Sequence, residues 1–146
     1  MSPSPKFHLI KIPTHTDARG NLSAVELKDI AGADWPVKRV YYVTGVPALK
    51  EHSDGQRGGH AVRGEKKIYV CVQGQVTARI HDGAGWHELH LSGPSDGILM
   101  NEMCWREFSG FSEGAVLMAI SNMNYEPEKY IYDFEVFLGE VKSTFN

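Results

Sequence analysis

Between Ile68 and Ser121 the chain is cut into short apolar runs with turn residues at nearly every break. Ile68–Val72, Gln75–His81, Trp86–Leu91, Gly97–Met100, Cys104–Phe108 and Ala115–Ser121 are rich in β-branched and aromatic residues, and Gly, Pro, Asp or Asn separate them. Gln73-Gly74 and Asp82-Gly83-Ala84-Gly85 are hairpin-turn chemistry. Runs spaced about 8–12 residues apart confine such a chain to a sandwich or barrel. Upstream, Phe7–Ile12 reads as a first strand. Asp17 to Asn21 reads as a turn, Leu22–Leu27 as the return strand, Asp29–Pro36 as a loop and Val37–Val43 as a further strand. The total is roughly nine to eleven strands. Only the tail differs. Tyr130, Ile131, Phe134, Phe137, Leu138 and Val141 recur near helical spacing, which predicts a short C-terminal helix within Pro127–Lys142. The expected architecture is an all-β jelly roll with a helical tail, one domain over residues 1–146 after a disordered Ser/Pro start at residues 1–6.

A length of 146 residues is enough for one proper core. The formal net charge of -3, with both signs interspersed, argues against a nucleic-acid surface or a polybasic membrane patch. Cys71 and Cys104 lie in apolar or aromatic surroundings and form no CxxC pair, so buried free thiols are expected. No apolar run reaches a membrane span and the N-terminus has no signal-peptide core, so a cytoplasmic location is expected.

The stretch from Arg57 to Gly74 carries the functional signal. Arg57-Gly58-Gly59 reads as a glycine-rich turn, and glycine beside His60 lets backbone and ligand approach closely. A basic-acidic cluster, Arg63 to Lys67, precedes the apolar strand. Polar groups at a strand's mouth are where small barrels hold ligands. In Val37–Val43, alternation puts Arg39, Tyr41 and Val43 on one face and Lys38, Val40 and Tyr42 on the other, so one of the two tyrosines lines the cavity. Pro47–Gly59 reads as a flexible loop over the site. The residues argue against a metal centre. No histidine follows His90, and His60 with Glu65 makes too few ligands.

Lys38-Arg39-Val40-Tyr41-Tyr42, Arg57-Gly58-Gly59-His60-Ala61, Val70-Cys71-Val72-Gln73-Gly74, His81-Asp82-Gly83, Trp105-Arg106-Glu107, Phe111-Ser112 and Tyr130-Ile131-Tyr132-Asp133-Phe134, in this order, resemble the nucleotide-sugar 3,4-ketoisomerases, the WxcM-like or FdtA/QdtA cupins. The resemblance runs from about Phe7 to Leu138. It implies a homodimeric cupin double-stranded β-helix that binds a dTDP-linked 4-keto-6-deoxyhexose. It also implies transfer of the carbonyl from C4 to C3 through an enediol, with no metal or other cofactor.

The family pattern reads Arg-Gly-x-His-Ala-His. Here Val62 stands where the second histidine would be, Lys67 where many members have Gln, and Arg106 where many have His. Ketoisomerisation needs a base at the carbon beside the carbonyl, an acid at its neighbour, and donors for the enediolate oxygen. His60 is the candidate base, Tyr41 or Tyr42 the oxyanion donor, and Lys67 a surrogate base unless it is a solvated surface charge. Arg57 and Arg39 suit a diphosphate, because a guanidinium forks onto phosphate oxygens. Gly59, Trp105 and Arg106 complete the candidate substrate contacts, with Arg106 alternatively paired to Glu107. Two rivals stand beside the isomerase: an epimerase-like cupin, and a nucleotide-sugar-binding module that has lost catalysis at Val62.

Overall fold

The computed structural model describes residues 6–48 and 57–144. Two five-stranded antiparallel sheets face one another. One has the order β1(Phe7–Lys11), β9(Asp96–Met100), β6(Lys67–Gln73), β11(Val116–Ser121), β4(Arg39–Val43). The other runs β12(Tyr130–Ile131), β5(Arg57–Val62), β10(Trp105–Ser109), β7(Gln75–His81), β8(Trp86–Ser92). A separate hairpin pairs β2(Thr14–Asp17) with β3(Gly20–Ser23). This is the expected jelly roll, with twelve strands among the described residues.

Strand alternation builds three apolar layers. Along β6, Tyr69 and Cys71 point between the sheets, where they pack with Val76, Ile80, Ile98 and Leu117. Ile68 and Val70 point outward and are covered by Trp35, Ala33 and Ile12. The strand is therefore buried on both faces, which is why its sequence is continuously apolar. On the outer face of the second sheet Ala61, Trp105 and Ile131 pack against Phe137 and Val141 of the C-terminal helix α1(Phe134–Thr144). Among the described residues no helix is long and apolar enough to cross a membrane. Cys71 and Cys104 are buried free thiols.

Three expectations need correction. Leu22–Leu27 is not the return strand of β1. The turn at Asp17–Gly20 closes the local hairpin β2–β3, Leu27–Asp29 forms a 3-10 turn, and β1 instead pairs with β9, Phe7 opposite Met100. The tail is not helical from Pro127. Pro127–Lys129 is a 3-10 turn and Tyr130–Ile131 adds a strand beside β5 before α1 begins at Phe134. Arg57-Gly58-Gly59 is strand rather than turn, as developed below. Of the expected loop Pro47–Gly59, residues 49–56 lie outside the described residues, as do residues 1–5 of the expected disordered start. Lys6 is described, in a bend.

Phe137 is wholly buried under the second sheet, on the face away from the space between the sheets. Phe137→Ala is expected to lower the unfolding free energy by about 3–5 kcal/mol, a large-to-small core loss, read as a lower urea midpoint at unchanged slope.

Candidate active site

The site is assembled by an irregularity in β5. Against β10, Arg106 pairs with His60 but Glu107 already pairs with Gly58, so Gly59 is an extra residue in the strand. Gly58 and Gly59 both have positive φ, +84° and +76°. A Cβ on Gly58 would come within 2.9 Å of the Arg106 carbonyl oxygen. Two successive left-handed residues at such close quarters call for glycine. The consequence is one of parity. Residues three apart on a regular strand face opposite ways, but the inserted residue lets Arg57 and His60 both line the same cavity.

That cavity measures about 660 Å³. Arg39, Tyr41 and Val43 reach it from β4, Arg57 and His60 from β5, and Tyr125 and Tyr130 from the chain before α1. Tyr69 and Phe108 close its inner end. The Arg39 guanidinium stands over the Tyr41 and Tyr125 rings at 4.6 and 5.2 Å and donates to the Tyr130 hydroxyl at 3.3 Å. Among the described residues neither Arg39 nor Arg57 has a carboxylate partner, so both guanidiniums keep donors for an anionic ligand.

His60 packs against the rings of Tyr130 and Tyr132 at 5.0 and 5.9 Å, and its buried Nδ1 makes no hydrogen bond among the described residues. Burial, followed by the positive charges of Arg106 and Lys67, pushes its imidazole down to about 3. At neutral pH it is the uncharged, proton-accepting form. Burial first, with the neighbouring Tyr69, holds the Tyr41 phenol well above its ordinary range, so Tyr41 is protonated and able to donate.

Beneath these two groups lies a buried charged cluster. Glu65, Lys67 and Arg106 are 3%, 1% and 1% exposed. Lys67 Nζ stands 3.1 Å and Arg106 Nη1 3.3 Å from Glu65 Oε1, and the Ser121 hydroxyl donates to Glu65 Oε2 at 2.9 Å. Lys67 also donates to the Tyr41 hydroxyl at 2.9 Å.

The structure thus sorts the candidates. His60, Tyr41, Arg39 and Arg57 come together. Of the two tyrosines it is Tyr41 that points inward; Tyr42 sits on the outer face, 70% exposed, and touches only the cavity's rim. Lys67 is no solvated surface charge, because its place on β6 shares the inward face of Tyr69. Arg106 is an interior cation on Glu65, not a partner of Glu107, which pairs with Arg79. Trp105 does not line the cavity. It faces α1, packing with Phe134 and Phe137 and donating its indole N–H to Glu107 at 2.9 Å. Gly59 shapes the bulge, while Gly58 is the glycine at the cavity wall. Among the described residues no three His, Cys, Asp or Glu side chains gather as metal ligands. Sequence reasoning missed Tyr69, Tyr125 and Tyr130 as site residues. The Tyr125, Tyr130, Tyr132 series just before the helix was the available signal, since polar-tipped aromatics so close together suit a ligand wall.

Fold and cavity together define a small cupin whose interior gathers an uncharged imidazole and a protonated phenol with two guanidiniums. The chain belongs to the FdtA family, described as WxcM-like, C-terminal, whose model matches residues 5–142. It is 28% identical over 121 residues to the TDP-4-oxo-6-deoxy-alpha-D-glucose-3,4-oxoisomerase of Aneurinibacillus thermoaerophilus, covering 83% of this chain and 82% of that one. The structure of QdtA, a sugar 3,4-ketoisomerase from Thermoanaerobacterium thermosaccharolyticum in complex with TDP, superposes with a TM-score of 0.85 at 28% identity, covering 99% and 100% of the two chains. A 3,4-ketoisomerase from Helicobacter canadensis gives 0.81 at 28% identity, covering 93% and 97%.

The His60 environment has a measurable signature. Its folded value lies below the ordinary 6.5, so the unfolded chain binds the proton more readily. The associated stability is full above 6.5 and drains away as pH falls toward 3. Between pH 7 and about pH 4.5 the unaltered protein is expected to lose more of its urea midpoint than His60→Gln does.

Proposed function

We propose that this chain is a sugar 3,4-ketoisomerase that moves the keto group of a dTDP-linked 4-keto-6-deoxyhexose from C4 to C3. The observation that carries the reading is the pairing, in one cavity, of an uncharged buried His60 with a protonated Tyr41. One is a base for the C3 proton, the other a donor for the oxygen that becomes negative as the enediolate forms. Arg39 and Arg57 at the mouth suit the diphosphate, and the Tyr125 and Tyr130 rings suit stacking against the base or sugar. Solved relatives support the ligand class. One is QdtA in complex with TDP, and another is a histidine-to-asparagine mutant of QdtA in complex with TDP-4-keto-6-deoxyglucose.

The placement supports the following mechanism. His60 takes the C3 proton, the Tyr41 hydroxyl supports the C4 oxygen, and the proton returns at C4. Val62, two residues after His60 on the same inward face, is wholly buried and has no proton to exchange, so His60 serves both carbons. In heavy water, proton NMR of dTDP-4-keto-6-deoxyglucose with the protein is expected to show loss of the C3 proton signal and growth of a 3-keto product. His60→Asn is expected to slow both by about 10²–10⁴-fold. Binding shifts on the nucleotide without exchange at C3 would overturn the reading.

The chain is further read as a homodimer, with the Phe7–Leu27 arm at or across the interface. Leu9 and Leu22 on that arm, and Val40 and Tyr42 on the edge strand β4, are large apolar side chains left exposed. Light scattering on a variant lacking residues 1–28 is expected to report loss of the dimer; a folded dimer would exclude the arm as the interface.

A further inference from the structure

The cavity floor contains more than a base and a donor require. Glu65 collects Lys67, Arg106 and Ser121, and both cations reach past it to a phenol. Lys67 Nζ donates to the Tyr41 hydroxyl at 2.9 Å, and Arg106 Nη1 donates to the Tyr69 hydroxyl at 3.4 Å. One carboxylate against two cations leaves one positive charge enclosed under the cavity. An ammonium only donates, so the Tyr41 oxygen is the acceptor of that bond and must send its own proton elsewhere.

We infer that Lys67, anchored by Glu65, is a positioning residue that makes the Tyr41 hydroxyl the carrier of a proton between the two substrate oxygens. The inference rests on the ketoisomerase reading above. As His60 takes the C3 proton, the C3–H electron pair becomes the C3–C4 double bond. The C4 carbonyl π pair moves to O4, which takes the Tyr41 proton. The phenolate left behind faces the Lys67 ammonium. In the second half the phenolate recovers the proton of the C3 hydroxyl and the C3 carbonyl forms. The enediol π pair then takes the proton from the His60 imidazolium at C4. Every proton and electron pair is returned, and no co-reactant enters.

This assigns Lys67 a task that a merely structural ion pair would not have. Glu65 keeps Arg106 and Ser121 when Lys67 is replaced, so its carboxylate is not orphaned. The test is a double-variant cycle of Lys67→Met, Tyr41→Phe and their combination. Lys67→Met is expected to lower kcat about a hundredfold with KM within about threefold, and to add less than about threefold to the loss in Tyr41→Phe. Should Lys67→Met fail to fold, Lys67→Gln enters the same cycle; it retains an N–H donor without the charge, and its kcat is expected between Lys67→Met and the unaltered enzyme.

A second readout needs no turnover. Lys67 and Arg106 both oppose charge on His60, with Tyr41, Tyr69 and Glu65 gathered on the same two cations. The NMR titration midpoint of the His60 ring is therefore expected to rise in Lys67→Met. An unchanged kcat, a loss confined to KM, or losses that multiply with Tyr41→Phe would overturn the role of Lys67 while leaving the ketoisomerase reading intact. An unaltered enzyme that does not isomerise the substrate would overturn both.

Discussion

A carboxylate sealed between two β-sheets cannot be left without partners, and Glu65 is so placed. Its solution is to gather Lys67, Arg106 and Ser121 within about 3.3 Å or less. Ion pairs at this depth rarely stabilise a fold, because losing hydration costs about as much as the attraction returns. An apolar filling would serve the core as well. The cluster makes sense as part of the cavity, since Lys67 and Arg106 oppose a positive charge on His60 and favour a negative one on Tyr41, whose phenol is kept protonated by burial. It is also one-sided. Removing Glu65 would strand two buried cations, whereas removing either cation leaves the carboxylate with the other.

The rest of the architecture serves that interior. β6 brings Lys67 and Tyr69 inward while Ile68 and Val70 on its reverse face are covered by the Ile12–Trp35 layer. β10 brings Arg106 and Phe108 inward while Trp105 is held from behind by α1. β6 and β10 are thus each pressed from outside by an apolar cover. That is how short strands hold charged side chains to fixed geometry.

Much of this was legible in the chain. Turn residues between apolar runs predicted seven strand positions to within a residue or two, from Val37–Val43 to Ala115–Ser121, and alternation placed Arg39 and Tyr41 on one face. Alternation along Ile68–Val72 also places Lys67 with Tyr69 and Cys71, a parity that marks the lysine as interior although its residue type reads as surface. The glycine pair misled because consecutive glycines signal a turn locally, and only the partner strand reveals a bulge. Leu22–Leu27 misled because a turn does not say which strands it joins, and β1 found its partner more than 80 residues away, with Phe7 opposite Met100. Trp105 looked like a ligand residue because motif membership carries no direction, and on β10 alternate side chains face away from the cavity, Trp105 against the helix.

The extra residue at Gly59 makes β5 intolerant of a change in length. Deleting one residue there would restore regular pairing with β10 and keep the sheet, yet it would turn either Arg57 or His60 away from the cavity. A lineage could vary the walls of this pocket one side chain at a time, but it could not shorten β5 by a single codon without separating the Arg57 guanidinium from the His60 imidazole.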